Sequence, residues 1–294
     1  MNKVGFIGVG IMGKSMVRNL MKAGFELHIY ARTKSKVEDV ISEGAQFHES
    51  IKDCVQDCDA VITIVGFPQD VEEVYFDEGN ILDSAKKGAY LIDMTTTSPQ
   101  IAEKIYAEGT KRGFHVMDAP VTGGDTGAKA GTLSILVGGE KEDYEACMPL
   151  FEAMGTNINY QGKAGCGQHC KLANQIMIAG TLSGVCEALI YAKEQGLNPE
   201  VFMKSVATGA AGSKQLDTFG PKILKDDYAP GFFMKHFIKD MKLALIEANR
   251  KGLSLDVLSM VLANYEELEQ EGYGDLGTQA LMKFYDEEHR NTEE

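Results

Sequence analysis

The feature that most limits what this chain can fold into is a glycine cluster directly behind its first apolar run. Val4–Ile7 reads as a strand. Gly8-Val9-Gly10-Ile11-Met12-Gly13 comes at once after it, and helical periodicity runs on from Lys14 to Ala23. A G-x-G-x-x-G turn from strand to helix gives each glycine a task. The first permits the tight turn, the second lets a pyrophosphate approach the backbone, and the third lets helix and strand pack closely. The helix start adds N–H groups and a dipole that attract an anion. Glycine turns are common, so the pattern gains its force from its place in an N-terminal βαβ unit. Gly8, Gly10, Ile11, Met12 and Gly13 are the expected dinucleotide contacts.

The pattern beyond it repeats the same grammar. Strands are expected at Leu27–Tyr30, Ala60–Val65, Tyr90–Ile92, His115–Met117 and Ser134–Val137. Helices are expected at Lys34–Glu43 and Pro99–Arg112. Such alternation predicts a parallel sheet covered by helices on both faces. After Gly155 a glycine-rich segment reads as one last short strand and a hinge over Tyr160–Gly167. From Gln168 no strand pattern remains, and a helix to Gln195 would span about 42 Å. The expected fold is α/β, an N-terminal Rossmann-type doubly wound sheet over residues 1–162 followed by an all-α domain over 163–294. The charged tail Asp286–Glu294 is expected to fray.

Composition narrows the function. A net charge of −14 argues against a nucleic-acid surface. It also requires any anion site to carry its own donors against the overall field. The opening residues are too short and too glycine-rich for a signal peptide, and no run resembles the roughly 20 apolar residues of a membrane span. Six cysteines in a chain this long suggest a reducing cytoplasm. Cys166, His169 and Cys170 invite a metal reading, but no second ligand pair accompanies them and no metal is expected.

The cofactor type is read past the second strand. NAD sites usually place an acid there for the ribose hydroxyls. This chain has Ala31-Arg32-Thr33-Lys34-Ser35-Lys36, whose guanidinium, hydroxyl and ammonium groups suit a 2′-phosphate. NADP is therefore favoured, with NAD possible.

Two further segments carry chemistry. Asp118-Ala-Pro-Val-Thr122-Gly123-Gly124 comes after a strand, on the carboxyl edge where open α/β sheets bind ligands, and its hydroxyl and glycine backbone could hold a carboxylate. Gly165-Cys-Gly167-Gln-His-Cys-Lys171-Leu-Ala-Asn174-Gln175 places a lysine in about the first turn of the long helix, flanked by two amides. A lysine at the positive end of a helix dipole, if buried, is pushed toward proton transfer.

With these motifs in order, the chain resembles the β-hydroxyacid dehydrogenase family, which includes 3-hydroxyisobutyrate dehydrogenase, tartronate semialdehyde reductase and the glyoxylate/succinic semialdehyde reductases. Asp93-Met-Thr-Thr96-Thr-Ser-Pro99 and Lys239-Asp240-Met-Lys-Leu-Ala-Leu245 complete the set, so the likeness spans nearly the whole length. The resemblance implies hydride transfer between nicotinamide and a small 2- or 3-hydroxy acid or semialdehyde, with Lys171 as proton donor and acceptor. It implies that Thr122, Gly123 and Gly124 hold the substrate carboxylate. Thr96 and Lys239 would line the nicotinamide end, Phe232 and Asp240 would help close the site, and Arg32, Thr33 and Lys36 would meet the 2′-phosphate. Two positions depart from the family, which usually has Ser where Thr122 stands and Asn where Gln175 stands. Asn174 or Gln175 could then take the amide role. The apolar helices after residue 168 predict a homodimer or tetramer. Competing readings are an imine reductase on the same scaffold, against which Lys171 speaks, a phosphogluconate-type decarboxylating dehydrogenase, against which the small size of the helical domain speaks, and a non-catalytic nucleotide-sensing module.

Overall fold

The computed structural model describes residues 1–291, with side chains described through residue 286. Inter-residue contacts divide the chain into two compact units, Met1–Lys171 and Leu172–Glu294.

The first unit is built on one nine-stranded sheet. Its strands are β1 (Lys3–Ile7), β2 (Glu26–Tyr30), β3 (Gln46–Phe47), β4 (Ala60–Thr63), β5 (Tyr90–Asp93), β6 (His115–Asp118), β7 (Val121–Thr122), β8 (Leu133–Gly139) and β9 (Gly155–Gly162). The order from one edge is β3-β2-β1-β4-β5-β6, all parallel. These central strands are near-continuous apolar runs such as the fully buried Ala60–Thr63, as expected when helices cover both faces. Separate apolar clusters occupy the two faces, one around Phe6, Met16, Ile29 and Phe151, the other around Val61, Tyr75, Leu91 and Ile105.

The far edge corrects the all-parallel expectation. β8 runs antiparallel to β6 and β7 and parallel to β9. β6 and β7 lie along β8 in a single register, since Leu136 N–H donates to Pro120 O midway between the paired segments. They are one strand interrupted at Ala119-Pro120, where proline cannot donate to a ladder. The expected hinge at Tyr160–Gly167 also shrinks. Tyr160 and Gly162 still pair with β8, which leaves Lys163–Gly165 as the connection to the long helix. The helix expected at Lys34–Glu43 is broken into a 3-10 turn, Lys34–Lys36, and a short helix, Glu38–Ser42.

The long helix spans Cys166–Glu194, starting two residues earlier than the sequence suggested. Beyond it the second unit is helical, with an isolated bridge between Phe233 and Gly277. Leu182, Cys186 and Leu189 of the long helix enter its core with Phe237, Met241, Val261 and Tyr265. Contrary to the composition reading, this helix is long and apolar enough to cross a membrane, with mean hydropathy 1.4 over its most apolar window. Half of that window is buried, as in a core helix. The tail is helical through Asn291, and residues 292–294 lie outside the described residues.

Candidate active site

The strand register of the first unit lines up its chemistry. Ile7, Thr63, Asp93 and Asp118 stand side by side at the carboxyl ends of β1, β4, β5 and β6. The segments leaving these positions therefore share one edge, and they include the glycine turn, the Met94–Ser98 loop and the Ala119–Gly124 loop.

The glycine turn can be tested position by position. Gly8 has φ +98°, and a Cβ there would meet Ile64 O at 2.1 Å. A Cβ on Gly13 would meet Gly8 O at 2.2 Å. These two glycines are required by the fold itself. Gly10 differs, because it is exposed, has an ordinary φ of −86°, and a Cβ there would meet nothing within 4 Å. Open space before the N-terminus of the helix Ile11–Lys22 is what a pyrophosphate needs, so the residues fit a dinucleotide. Ile11 is exposed and Met12 half-buried beside it.

Asp93 and Asp118 organise the neighbouring loops. Asp93 Oδ1 accepts from Thr63 Oγ1 at 2.8 Å and from Thr95 N–H at 3.1 Å, while Oδ2 is buried with no hydrogen-bond partner. Burial pushes its carboxyl up to about 6, opposed by the hydrogen bonds from Thr95 and Thr63. Asp118 accepts from Gly165 N–H at 2.7 Å and Gln168 N–H at 2.8 Å. Burial raises this carboxyl too, against those two backbone bonds. The close fit requires glycine, since a Cβ on Gly167 would meet Leu136 O at 2.3 Å. Asp118 thereby ties the end of β6 to the start of the long helix.

Gln168 completes the arrangement. Fully buried, it donates from Nε2 to Thr95 O at 2.7 Å and accepts at Oε1 from Thr97 N–H at 3.0 Å. Its carboxamide thus brackets Thr96, which stays half-buried at the edge. Lys171 lies three residues further on and is 7% exposed. It is the sixth helical residue, in the second turn and not the first, so the end-of-helix dipole acts on it less than the sequence suggested. Thr122 is half-buried in β7, and after it come exposed Gly123 (φ +131°) and Gly124 (φ +64°) at the start of the helix Gly124–Ala130.

The residues expected at the 2′-phosphate are all exposed. Arg32 donates to Asp70 at 2.7 Å and to Glu73 at 2.9 Å, contacts the sequence did not suggest. Thr33 precedes the 3-10 turn that contains Lys36.

In the second unit, Gln175 Nε2 donates to Asp240 Oδ2 at 2.6 Å, and Asn174 Nδ2 donates to Gln175 Oε1 at 2.8 Å. The ammonium of Lys239 stands 3.0 Å from Asp240 Oδ1, within ion-pair range though outside hydrogen-bond geometry. Lys239 and Asp240, expected in separate roles, are thus an ion pair whose carboxylate is buried and whose ammonium is half-buried. Phe232 is half-buried against the edge of Phe237. Among the described residues no group of His, Cys, Asp and Glu could hold a metal ion. Sequence reasoning missed Gln168 as well as the bracing role of Asp93 and Asp118. Gln168 sits inside the lysine motif, yet nothing local signals its partners 71 and 73 residues away.

Comparisons with known proteins give independent findings. The model for the NAD-binding domain of 6-phosphogluconate dehydrogenase matches residues 3–162. That for the NAD-binding region of NADP-dependent 3-hydroxyisobutyrate dehydrogenase matches residues 165–285. The chain is 49% identical to an oxidoreductase of Bacillus subtilis over 96% of its own length and 98% of the relative's. It is 44% identical to the probable 3-hydroxyisobutyrate dehydrogenase-like 1 of Arabidopsis thaliana, a mitochondrial protein, over 95% and 84%. Among solved structures, Mycobacterium tuberculosis 3-hydroxyisobutyrate dehydrogenase with L-serine superposes with a TM-score of 0.88 at 26% identity, covering 96% of this chain and 98% of that one.

Proposed function

The chain belongs to the β-hydroxyacid dehydrogenase family of NAD(P)-dependent oxidoreductases, and on that premise we propose that it interconverts a short 3-hydroxy acid and its semialdehyde, or the 2-oxo equivalent, with Lys171 moving the proton. The observation that carries this reading is the placement of Lys171, buried in a helix whose start is fastened by Asp118 to the ligand-binding edge of the sheet.

Bound nicotinamide supplies the hydride in reduction and takes it back in oxidation. Gly8–Gly13 hold the pyrophosphate, with room left at Gly10. Thr122 Oγ1 and the backbone N–H groups of Gly123 and Gly124 donate to the substrate carboxylate. Lys171 Nζ donates a proton to the carbonyl oxygen as it becomes an alcohol, and the resulting amine regains one from solvent. Oxidation reverses each step. Such proton transfer contributes on the order of 10²–10⁴ in rate. Thr96, bracketed by Gln168 through its two neighbours, lines the reacting end. Within the second unit, Asp240 orders Gln175, which in turn orders Asn174.

Arg32, Thr33 and Lys36 favour NADP(H) by offering charge and hydroxyl to a 2′-phosphate. We further infer a cytoplasmic homo-oligomer. The second unit leaves Met177, Tyr191, Val201 and Val257 more than half exposed, apolar surface that a second copy would cover. A clean monomer by light scattering at micromolar concentration would overturn that assembly.

The experiment for the reaction monitors absorbance at 340 nm with NADPH and NADH over glyoxylate and succinic, tartronate and methylmalonate semialdehydes, with the hydroxy acids in reverse. Strong turnover of one of them is expected. Silence across the panel with NADPH still bound would overturn the substrate class.

A further inference from the structure

We propose that Asp70 and Glu73 are determinants of cofactor preference, competing with a ribose 2′-phosphate for the guanidinium of Arg32. The inference rests on the reading of Arg32 as a 2′-phosphate contact. It adds two carboxylates that lie outside both the glycine turn and the Arg32–Lys36 segment.

The register puts these groups at one place. Tyr30 at the end of β2 and Thr63 at the end of β4 both flank Ile7, the residue before Gly8. Arg32 lies two residues past β2. Asp70 and Glu73 lie on the helix Pro68–Phe76 that comes after β4, three residues apart and so on one helix face. The contacts from Arg32 to both acids therefore reach across the carboxyl end of β1, beside the turn that would hold the pyrophosphate.

The pair is asymmetric. Asp70 Oδ2 accepts from Phe67 N–H at 2.9 Å, which fixes the carboxylate at the start of its helix and leaves Oδ1 for Arg32. The Asp70 side chain is 20% exposed and that of Arg32 62%. Arg32 is thus the partner able to turn away, while the acid stays in place. One guanidinium against two carboxylates gives that trio a charge of −1, which the Lys36 assigned to the same phosphate must offset. Lys34, the neighbouring cation, is itself 3.5 Å from Glu49.

Binding NADP(H) must draw Arg32 from its acids, whereas an unphosphorylated ribose leaves the pair intact. The ribose hydroxyls can moreover donate to Asp70, in the role that NAD sites give an acid at the end of the second strand. The wild-type protein should therefore accept both cofactors with only modest discrimination.

The test titrates NADPH and NADH by nicotinamide fluorescence, which needs no substrate, on the wild type and on Asp70→Asn, Glu73→Gln and Arg32→Ala. The Asp70→Asn amide keeps an acceptor for Phe67 N–H, so the helix start survives, and Glu73→Gln serves as a second variant of unchanged shape. Each acid substitution should tighten NADPH by about three- to tenfold at low salt, consistent with exposed charge interactions, and leave NADH unchanged or weaker. Arg32→Ala should weaken NADPH alone. If both acid variants keep the NADPH-to-NADH affinity ratio within about twofold of wild type while Arg32→Ala collapses it, the competition is wrong and the 2′-phosphate reading stands. If Arg32→Ala leaves NADPH affinity unchanged, both fall.

Discussion

Replacing Asp93 with Asn should make this protein more stable at neutral pH, because the fold keeps a buried carboxylate that it solvates incompletely. The folded carboxyl is raised to about 6 by burial, whereas an unfolded Asp titrates near 3.9. Between those values the native state holds a proton that the unfolded chain has released. Stability therefore falls as pH rises from about 4 to 6, and the full cost persists above that window. A gap of about two units corresponds to roughly 3 kcal/mol. Asn keeps an oxygen for Thr63 Oγ1 and Thr95 N–H, bonds of 2.8 and 3.1 Å. It replaces the partnerless Oδ2 with a neutral NH2, whose own desolvation returns about 1 kcal/mol or more of the gain. The net stabilisation expected is about 1–2 kcal/mol at pH 8; at pH 4 the carboxylate cost is only about 0.5 kcal/mol, less than the amide's offset, so the variant should be no more stable than wild type there. Urea unfolding of both proteins at the two pH values, with equal m, reads this directly. An Asp93→Asn variant no more stable at pH 8, or a gap of the same size at both pH values, would refute the reasoning.

Other expectations rest on the same geometry. Gly10→Ala should leave the urea midpoint unchanged, since its Cβ meets no protein atom, yet weaken NADPH binding by about tenfold or more in a fluorescence titration. Gly13→Ala should damage both, because its Cβ would overlap Gly8 O. Equal effects at the two positions would undo the assignment of Gly10 to the ligand. Asp118→Asn places an amide donor against one of two backbone N–H groups, and urea unfolding should register a loss of about 2–4 kcal/mol.

Much of this was legible because the signals are local. β1, β2, β4, β5 and β6 are short apolar runs bounded by turn residues, and the glycine turn dictates a helix directly after β1. β3 and β7 escaped notice because two residues, Gln46–Phe47 or Val121–Thr122, carry no periodicity. The reversed direction of β8 escaped for a different reason, since an apolar run looks the same read either way against its neighbours. In the site, Lys171, Thr122 and the glycines could be nominated from their motifs. The groups that hold them could not. Asp118 meets Gly165 across 47 residues and Arg32 meets Asp70 across 38, separations that only the sheet order closes. The paired state of Lys239 and Asp240 was also hidden, because adjacency on a helix does not normally bring side chains together.

The most direct test of the account is Lys171→Ala, assayed for turnover with the best semialdehyde and, separately, for NADPH affinity by fluorescence. The account predicts a fall in kcat of about 10²–10⁴ with the NADPH dissociation constant within about threefold of wild type. A variant that keeps most of its turnover would contradict it.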